Sequence, residues 1–258
     1  MDDHQTILRD VFGGSSESEE DEEQIHQVQS QDLNNGSRSP SWERISQISG
    51  LWLCTDFLSP EKQSSLISAI EKNGWFTEAS QNQAMRFGDL PSWAIELSNS
   101  IREVVYFSDY ASEFVEGATC NDDKYACLLP SDLLWREPLF NQLIVNVYQP
   151  GEGICAHVDL LRFDDGIAII SLESSCVMHF TRVESEVGNN GEESEKDKAT
   201  TKIPVYLTPG SLVLMWGEAR YLWKHEINRK QEFQKWEGQD IDQKRRTSIT
   251  LRKLCLTE

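Results

Sequence analysis

The chain of 258 residues carries 24 basic and 43 acidic residues and a formal net charge of −19, which argues against a protein that binds partners by non-specific attraction to phosphate but leaves room for a local basic groove. Ten phenylalanines, eight tryptophans and six tyrosines provide core material for one large β-rich domain or two small ones. No apolar run approaches the length of a membrane span, and six scattered cysteines without a CxxC motif favour a reduced compartment, the cytoplasm or the nucleus.

Residues 1–48 predict a disordered acidic tail, because they lack hydrophobic periodicity and consist mainly of small and acidic polar residues. The stretch DVFGGSSESEEDEE places Val11 and Phe12 before an acidic serine cluster. One interpretation is a docking motif for a protein partner with a basic groove, with Ser16 and Ser18 open to phosphorylation. The other is a tail that only improves solubility, and the pattern favours it.

Residues 49–140 predict N-terminal helices. Ser59 is a suitable N-cap, Pro60 fits the first helical position, and apolar residues repeat at helical spacing up to Gly74. An apolar stripe predicts a second helix over 91–107. Five aromatic residues of this region have two interpretations, packing in the core, which is the more common, and stacking against a base: Trp75, Phe76, Phe87, Trp93 and Trp135.

From residue 141 the sequence changes to short β-prone runs separated by turns. Seven strands are predicted, at 143–149, 166–173, 176–183, 203–208, 210–217, 221–228 and 246–254. The charged stretch 184–201 has no apolar anchors and predicts a mobile loop between two strands. Helices followed by many strands indicate an α+β fold whose body, residues 141–258, is a sandwich or a barrel.

The stretch GICAHVDLL places His157 and Asp159 two residues apart after a Pro-Gly-Glu-Gly turn. On an extended segment, side chains two apart point the same way, so both can approach one ion. His225, on a later predicted strand, is a third candidate ligand. Two histidines and one carboxylate form the facial triad of non-haem Fe(II) oxygenases, which leaves coordination positions open. An H-x-D pair by itself also occurs by chance.

Polar residues alternate along the last predicted strand, at Arg246, Ser248, Thr250 and Arg252. Arginines on an inner face of the sheet need an anion, and a dicarboxylate would meet that need. In the alternative, the arginines point outward into water, and spacing does not decide between the two. Asn146 and Tyr148 share the face of the strand before His157 and could bind the same carboxylates.

Together, NVYQPGEGICAHVD, SLVLMWGEARYLWKHEI and RRTSITLRK resemble the AlkB family of Fe(II)/2-oxoglutarate dioxygenases, whose pattern is N-x-Y, H-x-D, a distant H and R-x-[NS]-x-T-x-R. The resemblance covers roughly residues 49–256. It implies a double-stranded β-helix (jelly roll) over 141–258, flanked by the N-terminal helices. It also implies a substrate lid within 49–140 that forms one domain with this core.

The same resemblance implies roles for individual residues. His157, Asp159 and His225 would ligate Fe(II), and Arg246 would pair with the distal carboxylate of 2-oxoglutarate. Further residues would help seat this cosubstrate: Asn146, Tyr148, Ser248 and Arg252. The implied reaction consumes 2-oxoglutarate and O2, releases succinate and CO2, and hydroxylates a C–H bond. Hydroxylation of an N-methyl group would release formaldehyde and so demethylate the substrate.

Two classes of function stay open. GEARYLWKH and SLESSCVMHF look most like the eukaryotic AlkB homologues that hydroxylate a modified wobble uridine in tRNA, which implies a nucleobase substrate, in RNA more than in DNA. Those homologues also carry an RNA-recognition domain and a methyltransferase domain, whose patterns this sequence does not show, so the tRNA role is not carried over. The alternative is a protein-directed dioxygenase or regulatory factor, recruited to a protein partner through the acidic tail. A monomer without membrane association is expected in both cases.

Overall fold

The computed structural model of the chain describes residues 41–78, 80–115, 127–183 and 202–255. The predictions for the docking motif and for the charged loop 184–201 therefore lie outside the described residues.

The predicted tail boundary at residue 48 is wrong, because the fold begins earlier. Strand β1 (Trp42–Arg44) pairs with β2 (Leu51–Cys54), and both Ile45 and Ile48 are buried. A strand of three residues next to a serine-rich stretch has no periodicity that could be read in the sequence. The position of this segment depends instead on its pairing with β2.

The first helix begins as predicted. Helix α1 (Pro60–Lys72) is capped by Ser59, whose Oγ accepts a hydrogen bond from the Lys62 backbone N–H at 3.3 Å. Gly74, just past its end, has a φ of +65°, which favours glycine. Helix α2 (Ser92–Val115) extends beyond the predicted span. Two one-turn α-helices follow, α3 (Ser131–Leu134) and α4 (Glu218–Tyr221), and a 3-10 helix spans Gln231–Phe233.

The major sheet of the described residues has seven antiparallel strands. Besides β1 and β2 it contains β3 (Gln83–Phe87), β4 (Gln142–Tyr148), β6 (Ile167–Leu172), β9 (Leu212–Met215) and β13 (Arg246–Arg252). Their order across the sheet is β1-β2-β9-β6-β13-β4-β3. The last strand in sequence, β13, therefore lies inside the sheet between β6 and β4.

The minor sheet contains β5 (Ile154–His157), β7 (Cys176–Arg182), β8 (Lys202–Leu207) and β10 (Trp223–Ile227), in the order β5-β10-β7-β8. A short hairpin, β11 (Lys235–Trp236) and β12 (Gln239–Asp240), follows β10 in sequence. All seven predicted strands are confirmed, as β4, β6, β7, β8, β9, β10 and β13.

Two apolar clusters hold these layers together. In one, Ile70 of α1 and Ile101 of α2 pack with Val145 and Ile249 of the major sheet. The other joins side chains of both sheets, such as Ile169 and Phe180, and so lies between them. Two antiparallel sheets around a shared interior, with helices against one outer face, confirm the α+β jelly-roll fold. None of the described helices is long and apolar enough to cross a membrane.

Gly50 joins the segment after β1 to the end of β9. Its φ is +81°, its carbonyl accepts a hydrogen bond from the Trp216 N–H at 2.9 Å, and a Cβ would collide with the Trp216 carbonyl. We expect Gly50→Ala to lower the free energy of unfolding by more than about 3 kcal/mol. Gly88→Ala is the control, since Gly88 has a similar φ of +75° but open space around it, and should cost about 1 kcal/mol. Equal losses in urea denaturation would contradict the steric argument.

Candidate active site

The three predicted metal ligands lie together in the space between the two sheets. His157 ends β5, and His225 is its register partner on β10, with ring centroids 4.3 Å apart. Asp159 lies two residues beyond the end of β5, so it reaches the same place from a loop. One ligand atom from each of the three residues lies within 4.8 Å of the others. Such a set of two imidazoles and one carboxylate could hold a metal ion.

Hydrogen bonding determines which nitrogen of His157 faces the site. Its Nδ1 lies 2.8 Å from the carbonyl oxygen of Cys155. Because a carbonyl oxygen only accepts, Nδ1 must donate, and the lone pair of Nε2 is left for a metal. His225 is buried, and its Nε2 lies 3.8 Å from Oδ2 of Asp159. The geometry therefore fits a divalent ion that accepts nitrogen and oxygen ligands.

The carboxylate of Asp159 is held by a buried guanidinium. Arg252 Nη1 donates to Oδ1 of Asp159, while Arg252 Nε donates to Oε1 of Gln142 at 2.7 Å. Burial alone would raise the pKa of Asp159, but His225 and Arg252 outweigh burial and lower that pKa below its ordinary value. Asp159 is thus a carboxylate at neutral pH, as a metal ligand must be.

A second buried arginine holds the backbone of the loop that carries Asp159. The side chain of Arg220, in α4, is 1% exposed. Its guanidinium donates to three carbonyl oxygens, those of Asp159 at 3.0 Å, Leu160 at 2.8 Å and Phe163 at 2.9 Å. Arg220 thereby fixes the path of the chain through Asp159–Phe163. Arg220 was not predicted as a site residue from the sequence.

Replacing Arg220 with methionine is expected to lower the free energy of unfolding by about 3 kcal/mol, because buried carbonyl groups would lose charged donors. The change is measured by urea denaturation of the metal-free protein. Arg182→Met is the matched control, since the Arg182 side chain is 57% exposed and its guanidinium lies 3.5 Å from Glu218 and 5.8 Å from the ring centroid of Trp223. Its expected cost is below about 1 kcal/mol. Similar losses in both variants would show that the carbonyl contacts of Arg220 contribute little.

A cavity of about 180 Å³ lies next to the three candidate ligands. All predicted site residues line it: Asn146, Tyr148, His157, Asp159, His225, Arg246, Ser248 and Arg252. The alternation along β13 therefore faces inward, and the alternative with arginines in water is wrong for Arg246 and Arg252, which are both buried. Residues that were not predicted also contribute, in particular Gln83, whose Nε2 donates to Oδ1 of Asn146 at 2.7 Å.

Arg246 has an unused donor in this cavity. Its Nη1 donates to Oγ of Ser171 at 3.2 Å, and its guanidinium lies 4.6 Å from the ring centroid of Tyr148. Its Nη2 is buried and has no hydrogen-bond partner among the described residues. Burial raises the pKa of Tyr148 more than Arg246 lowers it, so the phenol stays protonated and can donate as well. A buried cation with a free donor fits a carboxylate.

The metal-free protein is expected to lose stability as pH falls from about 6.5 to about 4. Burial, followed by the nearby His157, lowers the pKa of His225 to about 4 from an ordinary value near 6.5. Between these values the unfolded chain binds a proton that the folded chain does not, so acid favours unfolding, by up to roughly 1.4 kcal/mol per pH unit. Urea denaturation across this range tests the slope. If His225→Gln keeps the same slope, other groups cause it.

Comparison with known proteins places this site in a family. The sequence model of one protein family, the 2OG-Fe(II) oxygenase superfamily, matches residues 50–252 of the chain. The chain is 29% identical over 182 residues to the tRNA (carboxymethyluridine(34)-5-O)-methyltransferase alkbh8 of Xenopus tropicalis, a match that covers 69% of this chain and 25% of that protein. It is 28% identical over 228 residues to the Alkylated DNA repair protein ALKBH8 homolog of Arabidopsis thaliana, covering 80% of this chain and 59% of that protein.

The solved structure of OsALKBH1 is similar in fold, with a TM-score of 0.55 at 15% identity, over 83% of this chain and 100% of that one. The match to the family model includes every predicted site residue, from Asn146 to Arg252. The described cysteines, among them Cys155 and Cys255, are free thiols. Because the family model matches most of the chain, the chain belongs to the 2OG-Fe(II) oxygenase superfamily, as an AlkB-like dioxygenase that uses Fe(II), 2-oxoglutarate and O2.

Proposed function

We propose that this dioxygenase oxidatively demethylates or hydroxylates a nucleobase, in RNA more than in DNA. The observation that carries the proposal is similarity over most of the chain to relatives named for carboxymethyluridine in tRNA and for alkylated DNA. The preference for RNA rests on the segment GEARYLWKH, which forms α4 and the start of β10. This chain spans only 25% and 59% of those two relatives, so the substrate remains part of the proposal.

In this proposal His157, Asp159 and His225 ligate Fe(II), which with 2-oxoglutarate and O2 supplies the oxidising power to hydroxylate a C–H bond. The protein contributes orientation and charge. The Cys155 carbonyl keeps Nε2 of His157 free for the metal, and Arg252 holds Oδ1 of Asp159 so that Oδ2 faces His225.

The cosubstrate is seated by the inner face of β13 and β4. The free Nη2 of Arg246 donates to the distal carboxylate of 2-oxoglutarate, supported by Tyr148, Ser248 and Asn146. Arg252, which was expected to take part in this contact, already donates through Nη1 to Asp159 and through Nε to Gln142. We therefore assign its main role to the carboxylate ligand, beside the cavity that 2-oxoglutarate occupies.

The test is release of succinate and formaldehyde by the purified protein with Fe(II), 2-oxoglutarate, ascorbate and total cellular RNA, compared with His157→Ala. RNA-stimulated succinate that the variant lacks would support the proposal. Formaldehyde would indicate demethylation, and its absence a stable hydroxylation. Succinate release that ignores RNA but responds to DNA or to protein would overturn the preference for RNA.

A second candidate is a dioxygenase recruited to a protein partner through the acidic tail. The observation in its favour is the net charge of −19, with acidic residues dense in DVFGGSSESEEDEE. Deletion should remove residues 1–40 and not 1–48, because β1 begins at Trp42. A protein partner that binds the full chain but not the truncated protein 41–258 would support this candidate. Equal binding to both proteins would contradict it. Either activity is proposed for the cytoplasm or the nucleus.

A further inference from the structure

A rim of exposed side chains lies beside the cavity and plays no part in holding metal or 2-oxoglutarate. It consists of Met85, Phe87, Leu160, Leu161 and Arg162. Met85 and Phe87 lie on β3 on the same face as Gln83, which lines the cavity, because strand side chains alternate. Leu160 and Leu161 directly follow Asp159. The four apolar side chains are 42%, 48%, 60% and 77% exposed in chain order, although large apolar groups usually avoid such contact with water.

Arg162 connects the two sides of this rim. Its guanidinium lies 5.8 Å from the ring centroid of Phe87 on β3 and 5.0 Å from that of Phe163 on its own loop. Arg162 is exposed, and no carboxylate among the described residues forms an ion pair with it. The nearby Asp164 lies 3.6 Å from Arg136 instead. The rim thus presents a cation on an aromatic ring, and no carboxylate of the described part of the chain neutralises it.

Three guanidinium groups are concentrated around one loop here, although the whole chain has a net charge of −19. Arg162, Arg220 and Arg252 lie around the loop that begins at Asp159, and Arg252 already pairs with that carboxylate. The guanidinium of Arg220 is already used by the carbonyl oxygens of Asp159, Leu160 and Phe163. Of the three, Arg162 forms no hydrogen bond or ion pair with a side chain of the described residues, and its guanidinium lies near the rings of Phe87 and Phe163. Arg162 is therefore the guanidinium that is left for an anion at the rim.

We propose that Arg162 binds a backbone phosphate of the nucleic-acid substrate, beside a base that packs on Phe87. This inference rests on the proposed function and specifies its contact surface. Aromatic faces next to a guanidinium are the common means of binding single-stranded nucleic acid, because every base has a face to stack and every nucleotide a phosphate. The acidic surface repels nucleic acid elsewhere, so this local cation directs the strand to the cavity.

The experiment measures binding of a fluorescein-labelled single-stranded oligouridine RNA to the full-length protein, loaded with Mn(II) and 2-oxoglutarate in the absence of O2. Fluorescence anisotropy gives Kd at several KCl concentrations. The variants are Arg162→Gln and Arg162→Lys. Arg229→Gln is the matched control, because Arg229 is also an exposed arginine without an ion pair among the described residues, but lines a different pocket, with Gln231 and Asp242.

We expect Arg162→Gln to weaken binding about fivefold and to reduce the slope of log Kd against log salt by about 0.7, the loss of one phosphate contact to a single strand. Arg162→Lys keeps the charge and should restore the slope, while Arg229→Gln should match the wild type. In turnover, Arg162→Gln should raise KM for RNA more than it lowers kcat.

Two results would overturn the inference while leaving the proposed function intact. Arg162→Gln could bind RNA like the wild type, or it could bind weakly with an unchanged slope and no rescue by lysine, which would mean that the side chain only packs on the rings. If RNA neither binds to the wild type nor stimulates its succinate release, the proposed function itself fails, and the phosphate contact with it.

Discussion

Replacing Arg252 with methionine is expected to destabilise the metal-free protein by about 3–5 kcal/mol, because it leaves a buried carboxylate without its cation. Asp159 is 8% exposed and Arg252 is 6% exposed, so water cannot replace the lost partner. A divalent ion would supply the missing positive charge. Mn(II) should therefore raise the Tm of Arg252→Met by more than it raises the Tm of the wild type. Thermal unfolding with and without Mn(II) measures both effects.

The control is the double variant in which Asp159→Asn accompanies Arg252→Met. It removes the charge that was left unpaired, so it should recover part of the stability lost in the single variant and show little response to Mn(II). If Mn(II) stabilises the wild type and Arg252→Met equally, Asp159 is not the group through which metal and arginine interact, and the assignment of Arg252 to the carboxylate ligand is wrong.

Replacing Arg246 with methionine is expected to raise the apparent KM for 2-oxoglutarate by about 10- to 100-fold, the loss of a charge-assisted contact to a carboxylate. The free protein should not be destabilised, because its buried Nη2 has no partner among the described residues. Succinate release at varied 2-oxoglutarate gives KM, and thermal unfolding tests the second expectation.

Ser171→Ala provides the comparison for this prediction, since it removes only the hydroxyl that accepts from Nη1 of Arg246 at 3.2 Å. Its KM should change less than about threefold. A KM for Arg246→Met equal to that of the wild type would place the distal carboxylate elsewhere in the cavity, and a lower Tm for this variant would show that the guanidinium stabilises the fold without ligand.

The catalytic core was predictable because its strands are long and its polar residues follow their period. Alternation along β13 predicts that Arg246 and Arg252 share a face, and the structure places both inside the cavity. The H-x-D pair and His225 were recognisable since the metal limits which residues can serve. Their approach to within 4.8 Å depends on the pairing of β5 with β10, which the sequence does not specify.

Other elements could not be predicted, because their positions depend on distant parts of the chain. Strand β3 shows no alternation of buried and exposed residues, since only Ala84 is buried. It is a strand because β4 offers a free edge for pairing. The role of Gln142 depends on the Arg252 side chain, and that of Arg220 on backbone carbonyl oxygens, in both cases far away in sequence. A buried arginine that binds carbonyl oxygens carries no motif, so only the folded structure reveals it.

The internal position of β13 also has a consequence for biosynthesis. During translation, β4 and β6 leave the ribosome well before β13, which must later insert between them. The growing chain therefore exposes two unpaired strand edges until residue 252 has been made, and such edges favour aggregation. Arg246 and Arg252 arrive with this same strand, so an unfinished chain contains all three candidate metal ligands but neither arginine. We expect iron loading to follow the synthesis and insertion of β13, and chaperones that shield strand edges to increase the yield of active protein.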